Sequence, residues 1–527
     1  MDFNLADLFE RVAATVPDRV AIVTPDRRVT YAELDGRASR FAHHLLDAGV
    51  AAGAHVGIYA YNRPEWCEAM IGCYKARTVP INVNYRYVPD ELRYLFDNAD
   101  LAALVFEASF APAVAEVLPS LRRLQHLMVL DDGSGTPTTD LAAVEYEQAL
   151  SSASPAADFA PRSPDDRYIL YTGGTTGMPK GVIWRQEDIF FAAMGGGNYG
   201  GPPITEPEQI EKAVTGDLRL TLALAPLMHG NAQWTMFNTI FMGGALALWT
   251  RHTLEPDGIW RFVERERINT ISLVGDAMAR PLADALRAGS YDVSSLFAIV
   301  SGGAILSPSI KGELHDLMPN VFVMDSFGAS ETGANGTVDP NGSGPRFQMN
   351  DSTTVIGDDF TPVKVGETGM LARRGNVPLG YYKDSEKTAA TFVEMNGVRW
   401  AIPGDRAVLE PDGTITVLGR GSQSINTGGE KVFPEEVESV LKSHPDVFDA
   451  IVVGVPDERW GECVAAVVAP RPGRTFTLEN LVEHAGNTLA RYKLPRHLFV
   501  VEEVQRNPAG KPDYRWAKDL AATHVRR

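Results

Sequence analysis

Residues 167–181 read RYILYTGGTTGMPKG, and this stretch decides how the rest of the chain is interpreted. Its first half is an extended apolar run, which predicts a buried strand. The second half is rich in glycine, so the backbone can turn sharply and approach a ligand without interference from Cβ atoms. Threonine hydroxyls and the ammonium group of Lys180 accompany the glycines. A strand that ends in such a loop is equipped to hold a polyphosphate.

The loop differs from the Walker A phosphate-binding pattern. That pattern needs Gly-Lys followed by Ser or Thr at the start of a helix. Here Pro179 precedes Lys180 and Gly181 follows it. Taken alone, the loop therefore also fits an ordinary surface turn, and only the other motifs of the chain can separate the two interpretations.

Size and composition indicate a multidomain globular protein. A chain of 527 residues exceeds one ordinary hydrophobic core, and 44% hydrophobic with 22% charged residues is a globular composition. The formal net charge of −18 argues against nucleic-acid binding, which leaves a basic footprint, and disfavours docking on anionic lipid. The longest apolar stretch, residues 240–249, is too short for a membrane span, so we expect no stable membrane insertion.

The start of the chain and its cysteines indicate a cytoplasmic protein. Residues 1–7 lack the basic and apolar regions of a signal peptide. The three cysteines, Cys67, Cys73 and Cys463, are odd in number and share no metal-ligand spacing. A reduced, cytoplasmic setting fits this cysteine usage best. The oligomeric state stays open, with a homodimer among the options.

Alternating helix and strand patterns predict an α/β fold. Thr30 and Glu33 have the spacing of a capping box, which opens a helix with a one-sided apolar period that ends near Gly49. Apolar strand patterns then recur between helical ones, at residues 56–60, 124–130, 218–224, 270–273 and 297–301. Such alternation predicts buried, mostly parallel strands.

The character of the sequence changes near residue 420. A helix is predicted from Pro434 to about Ser443, because proline and two glutamates make a favourable first turn. The remaining patterns are strands at residues 448–453, 463–468 and 498–504 and a helix at residues 478–489. We predict a large domain over residues 1–420 and a small α/β domain over residues 421–527.

The loop at residues 171–181 resembles the phosphate loop of adenylate-forming enzymes. This superfamily comprises acyl-CoA synthetases, adenylation domains of peptide synthetases, and luciferases. Its further motifs occur in the expected order along essentially the whole chain. The resemblance implies a large N-terminal α/β domain of several subdomains and a small mobile C-terminal α/β domain. It also implies that the ATP phosphates are held by Thr172, Gly173, Gly174, Thr175, Thr176, Gly177 and Lys180.

Two further blocks resemble the nucleotide-binding motifs of this superfamily. In Ser-Gly-Gly-Ala, residues 301–304, the backbone of Gly302, Gly303 and Ala304 would lie against adenine. The second block, DSFGASET at residues 325–332, has Phe for the usual Tyr and Ser for the usual Thr. The resemblance implies that Glu331, together with Thr172, binds Mg²⁺ and takes part in catalysis, since a hard cation prefers oxygen ligands. The nucleotide contacts it implies in this block are Asp325, Ser326, Phe327 on adenine, Gly328, and Ser330 on the α-phosphate.

The remaining motifs of the resemblance lie around and beyond residue 400. Asp405 and Arg420 correspond to residues that bind the ribose hydroxyls. Lys511, in Pro-Ala-Gly-Lys, corresponds to the lysine that enters the active site during adenylation. Gly428 and Gly429 correspond to a hairpin that admits the pantetheine of CoA. Ser422 replaces the usual Asp or Lys of the hinge; rotation of the small domain needs a permissive backbone, which this segment retains.

The reaction implied by the resemblance has two steps and uses ATP, Mg²⁺ and CoA. A carboxylate attacks the α-phosphate of ATP and expels pyrophosphate, and a thiol then attacks the acyl-adenylate and releases AMP. Both reactants of the first step are anionic, so positioning and charge neutralisation must supply most of the rate. The alternatives are transfer to a carrier-protein thiol, a luciferase-type oxygenase, and a degenerate nucleotide-binding module.

The acyl group is expected to be apolar. PLMHG at residues 226–230 resembles the element that begins the acyl pocket of this superfamily. Its His229 orients the carboxylate, gates the pocket, or is a packed, hydrogen-bonded structural histidine. No acidic residue occurs from Leu218 through Leu254, where amino-acid-activating relatives place a partner for the substrate ammonium group. The glycine run at residues 195–197 either widens the pocket or forms a flexible loop. The segment at residues 425–434 resembles bacterial synthetases for long-chain or sterol side-chain acids.

Overall fold

The fold is described from a computed structural model of the chain. The structure describes residues 3–172, 178–214, 216, 219–304, 306–338, 346–349, 351–420, 423–427, 430–457, 461–506 and 511–525. Its strands form four sheets, three of which lie before residue 421 and one after it.

An all-parallel sheet of five strands lies in the N-terminal part of the chain. Its strands, in spatial order, are Val79–Asn82, His55–Tyr59, Leu101–Glu107, His126–Leu130 and Val144–Glu145. α-Helices connect the first four strands in chain order, and a short 3₁₀-helix, Thr139–Leu141, lies between the last two. The four longer strands are almost entirely buried, which explains why they appear in the sequence as apolar runs without alternation.

The largest sheet has fifteen strands, and its strand pairing changes from mostly parallel to antiparallel about halfway across. Its first half is parallel apart from the edge strand Arg28–Thr30. The parallel strands, in spatial order, are Val20–Val23, Ala245–Leu248, Leu220–Ala223, Thr270–Leu273, Ala298–Gly302 and Phe322–Ala329. The predicted alternation of helices and strands is therefore confirmed for this half, and the fold class is α/β.

The second half of this sheet is antiparallel. The described residues between 333 and 420 contain one helix, Ser385–Thr391, and antiparallel strands need no helical crossover. The sequence analysis did not identify this region. Its strands are Gly333–Val338, Arg346–Met349, Ile415–Arg420, Asp405–Leu409, Thr368–Arg374, Val398–Ala401 and Phe392–Met395, with Thr353–Ile356 beside Thr368–Arg374.

A small antiparallel sheet carries the predicted phosphate loop. It consists of Arg167–Thr172, Lys180–Arg185 and Gly380–Tyr381. The buried strand predicted before the loop is present, but it pairs as a hairpin and does not join the parallel sheets.

The part of the chain after residue 421 builds its own sheet and its own cores. The strands are Glu430–Val432, Ile425–Thr427, Gly461–Pro470, Val447–Asp457 and His497–Val500. Helices Pro434–Lys442 and Leu478–Gly486 cover one face, and helix Tyr514–Val525 covers the other. Within the described residues, these two clusters contain no side chain from the first 420 residues. The separation supports the predicted boundary near residue 420, which stays a prediction.

The helix that the sequence predicts from Thr30 to near Gly49 is present as Tyr31–Asp47. The capping box at Thr30 and Glu33 is present, with reciprocal hydrogen bonds between each side chain and the other residue's backbone N–H. No helix in the described parts of the chain is both long and apolar enough to cross a membrane. The helices are Leu5–Thr15, Tyr31–Asp47, Pro64–Lys75, Pro89–Asn98, Ala111–Val117, Tyr146–Ser152, Gln186–Ala193, Ile210–Ala213, Gly230–Phe241, Pro256–Glu266, Gly275–Ala288 and Pro308–Leu317.

Candidate active site

The predicted phosphate loop connects the two long strands of the small antiparallel sheet. The register of this hairpin places Thr172 directly opposite Lys180. Residues 168–171 of the first strand are buried, so the base of the loop is anchored in the core. The predicted phosphate ligands Gly173, Gly174, Thr175, Thr176 and Gly177 lie outside the described residues.

Lys180 is held by an acid that the sequence analysis missed. Its Nζ donates a hydrogen bond of 2.5 Å to Oδ2 of Asp384 and lies 5.9 Å from the ring centroid of Tyr381. Asp384 also caps helix Ser385–Thr391 by accepting from the backbone N–H of Lys387. These two hydrogen bonds, the one from Lys180 foremost, lower the pKa of Asp384. The lysine is thereby fixed beside the loop as a positive charge.

Glu331 lies in the tight turn between strands Phe322–Ala329 and Gly333–Val338. Its Oε1 accepts a hydrogen bond of 2.8 Å from the hydroxyl of Tyr381, and the residue is buried. The preceding carbonyl, that of Ser330, accepts a hydrogen bond of 3.0 Å from Nε1 of Trp184. Trp184 belongs to the strand that begins at Lys180. The acidic turn and the phosphate-loop hairpin are therefore joined directly.

The donor set fits Mg²⁺ better than a transition metal. Among the residues that the structure describes, no group of three or more His, Cys, Asp or Glu side chains could hold a metal ion. Mg²⁺ does not need such a group, because it usually binds one or two carboxylates together with waters and substrate phosphates. Glu331 supplies a carboxylate and Thr172 a hydroxyl, as the sequence analysis predicted; their role as metal ligands stays a prediction.

The predicted adenine turn is held by Ser301 of its own strand and by Asn231 of helix Gly230–Phe241. The Oγ of Ser301 donates to the carbonyl of Ala304 and accepts from the backbone N–H of Gly275. Gly303 has φ +86°, a left-handed conformation that favours glycine. A Cβ atom on Gly302 would lie 2.8 Å from Oδ1 of Asn231, so the side-chain amide of Asn231 packs directly on this backbone. Asn231 is a further residue that the sequence analysis missed.

The strand of the third motif contains one side chain that faces the interior. Asp325 is 1% exposed, accepts from the backbone N–H of Leu306 at 2.9 Å, and forms an ion pair with Lys311 at 2.5 Å. Burial raises its pKa in spite of the lysine. We interpret its carboxylate as a support for the adjacent turn, and its predicted contact with nucleotide remains a prediction.

Other members of this motif have structural contacts of their own. The ring of Phe327 packs on Phe347 with centroids 4.9 Å apart. A Cβ atom on Gly328 would lie 2.5 Å from the carbonyl oxygen of Gly333, so close strand packing alone requires a glycine there. Ser326 directly precedes Phe327 on the same strand. Their predicted contacts with nucleotide remain predictions.

Asp405 and Arg420 are brought together by strand pairing. They are Cα partners at the ends of strands Asp405–Leu409 and Ile415–Arg420. The turn between the strands contains Gly413 at φ +82°, a left-handed conformation that favours glycine. Residues 15 positions apart in sequence thus meet at one end of a hairpin, as joint recognition of a ribose requires.

The charge of Lys511 acts on His229 although the two residues are 282 positions apart in the sequence (511 − 229). His229 precedes helix Gly230–Phe241 and is half-buried. Desolvation, followed by the positive charges of Lys511 and Arg86, lowers the pKa of His229 to about 3. The imidazole is therefore neutral near pH 7. Two distant sequence motifs, the acyl-pocket element and the C-terminal lysine, share one electrostatic environment.

The sequence analysis missed Tyr381, Asp384 and Asn231 for different reasons. Asp384 had a local signal, because aspartate is a favourable N-cap and helix Ser385–Thr391 begins directly after it. Tyr381 and Asn231 had none, since their contacts with Glu331 and Gly302 depend on how the sheets pack. The predicted pantetheine residues Gly428 and Gly429 lie outside the described residues.

The glycine run at residues 195–197 is required by its own loop. Gly195, Gly196 and Gly197 have φ values of +66°, +55° and +75°. A Cβ atom on Gly196 would lie 2.7 Å from Cβ of Pro203, and one on Gly197 would lie 2.9 Å from Cδ1 of Ile204. Left-handed backbone and tight packing explain these glycines. Neither widening of a pocket nor loop flexibility is needed to explain them.

Comparison with known protein families agrees with this architecture. Residues 9–382 match the family model of AMP-binding enzymes, and residues 436–511 match that of the AMP-binding enzyme C-terminal domain. The chain belongs to the AMP-binding enzyme family.

Individual relatives match over nearly the full length of both chains. A 3-oxocholest-4-en-26-oate–CoA ligase of Rhodococcus rhodochrous is 49% identical, with 98% of this chain and 96% of the relative covered. A medium/long-chain-fatty-acid–CoA/3-oxocholest-4-en-26-oate–CoA ligase of Mycobacterium tuberculosis is 48% identical with the same coverage.

Solved structures share the fold at lower sequence identity. An anthranilate CoA ligase in complex with anthranoyl-AMP superposes with a TM-score of 0.85 at 24% identity, covering 99% of this chain and 98% of that chain. ATP-bound MatB from Rhodopseudomonas palustris gives a TM-score of 0.82 at 24% identity, with 99% of each chain covered. At this level of identity, the likeness concerns the fold.

Proposed function

We propose that this protein is an AMP-forming acyl-CoA ligase that activates a large apolar carboxylic acid. The observation that carries the proposal is the 48–49% identity, over 98% of this chain, to enzymes named as CoA ligases of fatty acids and of 3-oxocholest-4-en-26-oate. Membership of the AMP-binding enzyme family and the contacts around Glu331, Lys180 and His229 agree with this chemistry.

In the first half-reaction, the carboxylate attacks the α-phosphate of ATP in line and pyrophosphate leaves. Two anions must approach each other, so positive charge and orientation supply most of the rate. Lys180 and the loop that precedes it would hold the departing pyrophosphate, with Asp384 fixing the direction of the ammonium group. Glu331 and Thr172 would hold Mg²⁺, which neutralises phosphate charge when bound.

Lys511 and His229 would act on the carboxylate end of the acid. A lysine ammonium group between the carboxylate and the α-phosphate forms charge-assisted hydrogen bonds to both. Because the pKa of His229 is about 3, its imidazole acts as a neutral hydrogen-bonding group and does not compete as a second cation. The acid is therefore oriented by His229 and neutralised by Lys511.

In the second half-reaction, the thiol of CoA attacks the acyl-adenylate and AMP leaves. The sequence resemblance assigns pantetheine access to Gly428 and Gly429, after rotation of the small domain has withdrawn Lys511. Transfer to a carrier-protein thiol in place of CoA is the runner-up, and the experiment below separates the two acceptors.

The nature of the acid follows from the residues near His229 and from the relatives. The segment from Leu218 to Leu254 has no carboxylate for a substrate ammonium group. The named substrates of the relatives, fatty acids and a sterol side-chain acid, are large apolar carboxylates. We propose the same class here, and a cytoplasmic location, which the three buried free cysteines support.

The test is product analysis with a panel of carboxylic acids. Purified protein is incubated with ATP, Mg²⁺ and CoA and with acetate, octanoate, palmitate, a sterol side-chain acid or an amino acid. We expect AMP, pyrophosphate and an acyl-CoA with the large apolar acids. ADP as the nucleotide product would disprove the proposal, and thioester formed only on an added carrier protein would establish the runner-up.

A further inference from the structure

A buried arginine of the large part of the chain contacts the end of a helix in the small part. Arg280 lies on helix Gly275–Ala288 and is 2% exposed. Its Nη2 donates to the backbone carbonyl of Lys442 at 3.3 Å. The same nitrogen lies 3.2 Å from Oδ2 of Asp276 and 3.3 Å from Oγ of Ser307. The guanidinium group therefore joins two elements on opposite sides of the predicted boundary near residue 420.

A serine hydroxyl reaches the same carbonyl. The Oγ of Ser309 donates to the carbonyl of Lys442 at 3.3 Å, and it lies 3.0 Å from Oγ of Ser307. Lys442 is the last residue of helix Pro434–Lys442. Carbonyls at a helix C-terminus lack partners within the helix and carry partial negative charge. The guanidinium group of Arg280 and the hydroxyl of Ser309 therefore supply the hydrogen-bond donors that this carbonyl lacks within its own helix.

The contact of Arg280 and Ser309 with Lys442 occurs in one particular orientation of residues 421–527 relative to residues 1–420. In the same structure, Lys511 lies close enough to His229 for its charge to lower the pKa of the imidazole. Resting on the proposed function, we propose that Arg280 and Ser309 are positioning residues, which latch the end of helix Pro434–Lys442 and hold Lys511 in the adenylation site. The latch has to open before CoA can react, because the second half-reaction uses the other face of the small domain.

The composition of the latch makes it reversible. Among the described residues, Nε and Nη1 of Arg280 are buried without a hydrogen-bond partner, so the closed state carries a desolvation cost. Arg471 of the small part lies nearby, and burial together with the charge of Arg280 lowers its pKa. These two like charges oppose closure, whereas Asp284 and Asp276 of the large part attract Arg471. The buried unpaired nitrogens of Arg280 and its repulsion with Arg471 are the terms that favour opening of the contact.

The experiment removes one hydrogen bond and measures both half-reactions. Ser309→Ala deletes the hydroxyl, Ser309→Thr retains one, and Ser295→Ala is the matched control. Ser295 donates its hydroxyl to the carbonyl of Ile268 at 2.9 Å, entirely within the large part. Adenylation is followed by acid-dependent exchange of pyrophosphate into ATP without CoA. Thioester formation is followed from supplied acyl-adenylate and CoA.

We expect Ser309→Ala to raise the ratio of thioester formation to adenylation by about three- to tenfold, the effect of one lost hydrogen bond on a two-state equilibrium. Ser309→Thr and Ser295→Ala should keep the wild-type ratio. Arg280→Met should shift the ratio further in the same direction. An unchanged ratio in Ser309→Ala would overturn the latch, as would an equal shift in Ser295→Ala.

An orientation measurement separates the latch from the proposed function. Dyes on cysteines introduced at the exposed positions Glu116 and Glu479 report the distance between the two parts of the chain. Each of the two orientations of the small domain gives its own distance between the dyes. Ser309→Ala should increase the population of the open, unlatched orientation about three- to tenfold relative to the latched one. A shift in a protein that forms no AMP with any acid would retain the latch and reject the ligase. An active ligase whose distance distribution is unaffected would retain the ligase and reject the latch.

Discussion

At the scale of single residues, charge from distant parts of the chain determines the state of the candidate site. His229 is neutral because it is desolvated and because Lys511 and Arg86 repel a proton on its ring. Lys180 keeps its direction because Asp384 accepts its hydrogen bond, and Glu331 because Tyr381 donates to it. Lys180 and Glu331 are thus each oriented by a residue from another segment.

Replacement of Lys511 by alanine should affect the two half-reactions differently. The ammonium group contacts both anions near the transition state of adenylation, so Lys511→Ala should lower the adenylation rate by about two to three orders of magnitude. Thioester formation from supplied acyl-adenylate should stay within about twofold of wild type. Exchange of pyrophosphate into ATP and single-turnover thioester formation measure the two steps.

A surface lysine provides the control for this variant. Lys518, on helix Tyr514–Val525, has a side chain that is 60% exposed, and Lys518→Ala should leave both steps unchanged. In Lys511→Ala the pKa of His229 should also rise, because one of the charges that lower it is removed. NMR titration of the imidazole reports this shift. Equal loss of both half-reactions, with the pKa of His229 unmoved, would contradict the assignment of Lys511.

At the scale of elements, loop conformation and not pocket shape explains the glycine run. Gly196 combines φ +55° with a would-be Cβ contact of 2.7 Å to Pro203 and 3.1 Å to Phe191. Gly196→Ala should therefore lower the free energy of unfolding by about 2–4 kcal/mol, through left-handed strain and overpacking. The preference among acids of different length should not change. Chemical denaturation and the ratio of kcat/KM for octanoate and palmitate measure the two quantities.

Replacement of a different glycine, Gly36, should have the opposite effect on the free energy of unfolding. Gly36 lies inside helix Tyr31–Asp47, and a Cβ atom there would meet nothing within 4 Å. Gly36→Ala should raise the free energy of unfolding by about 0.5–1 kcal/mol, because alanine loses less backbone entropy in a helix. A stable Gly196→Ala with altered chain-length preference would restore the interpretation of this loop as part of the acyl pocket.

At the scale of the whole molecule, selectivity for the acid should follow the hydrophobic effect. An apolar pocket gains about 0.8 kcal/mol for each buried methylene, so kcat/KM should rise about three- to fourfold per methylene until the pocket is full. A long-chain or polycyclic acid should exceed acetate by several orders of magnitude, and amino acids should be rejected. Steady-state kinetics over straight-chain acids of increasing length measure the slope.

Two outcomes of these kinetics would contradict different parts of the proposal. Similar kcat/KM values for acetate, octanoate and a sterol side-chain acid would reject a large apolar pocket. Preference for an amino acid would reject the argument from the acid-free segment between Leu218 and Leu254. A bell-shaped dependence on chain length would agree with the proposal and report the depth of the pocket.

The fold could be predicted where its signals are local. The capping box of Thr30 and Glu33 and strand Thr270–Leu273 agree with the predictions, because capping and apolar runs act within a few residues. The strand predicted at residues 498–504 is shorter, His497–Val500. The antiparallel half of the large sheet escaped prediction, since pairs such as Arg346 with Thr416 depend on contacts 70 residues apart (416 − 346).

The sequence by itself determined the class of chemistry through its resemblance to adenylate-forming enzymes, whose motifs occur in order along the chain and end at Lys511. Only the tertiary structure decided which groups orient that chemistry. Tyr381 reaches Glu331 from 50 residues away, and Arg280 reaches the carbonyl of Lys442 from 162 residues away. Neither contact has a local signature, because a hydrogen bond between distant residues depends on the path of the chain and on how the sheets and helices pack.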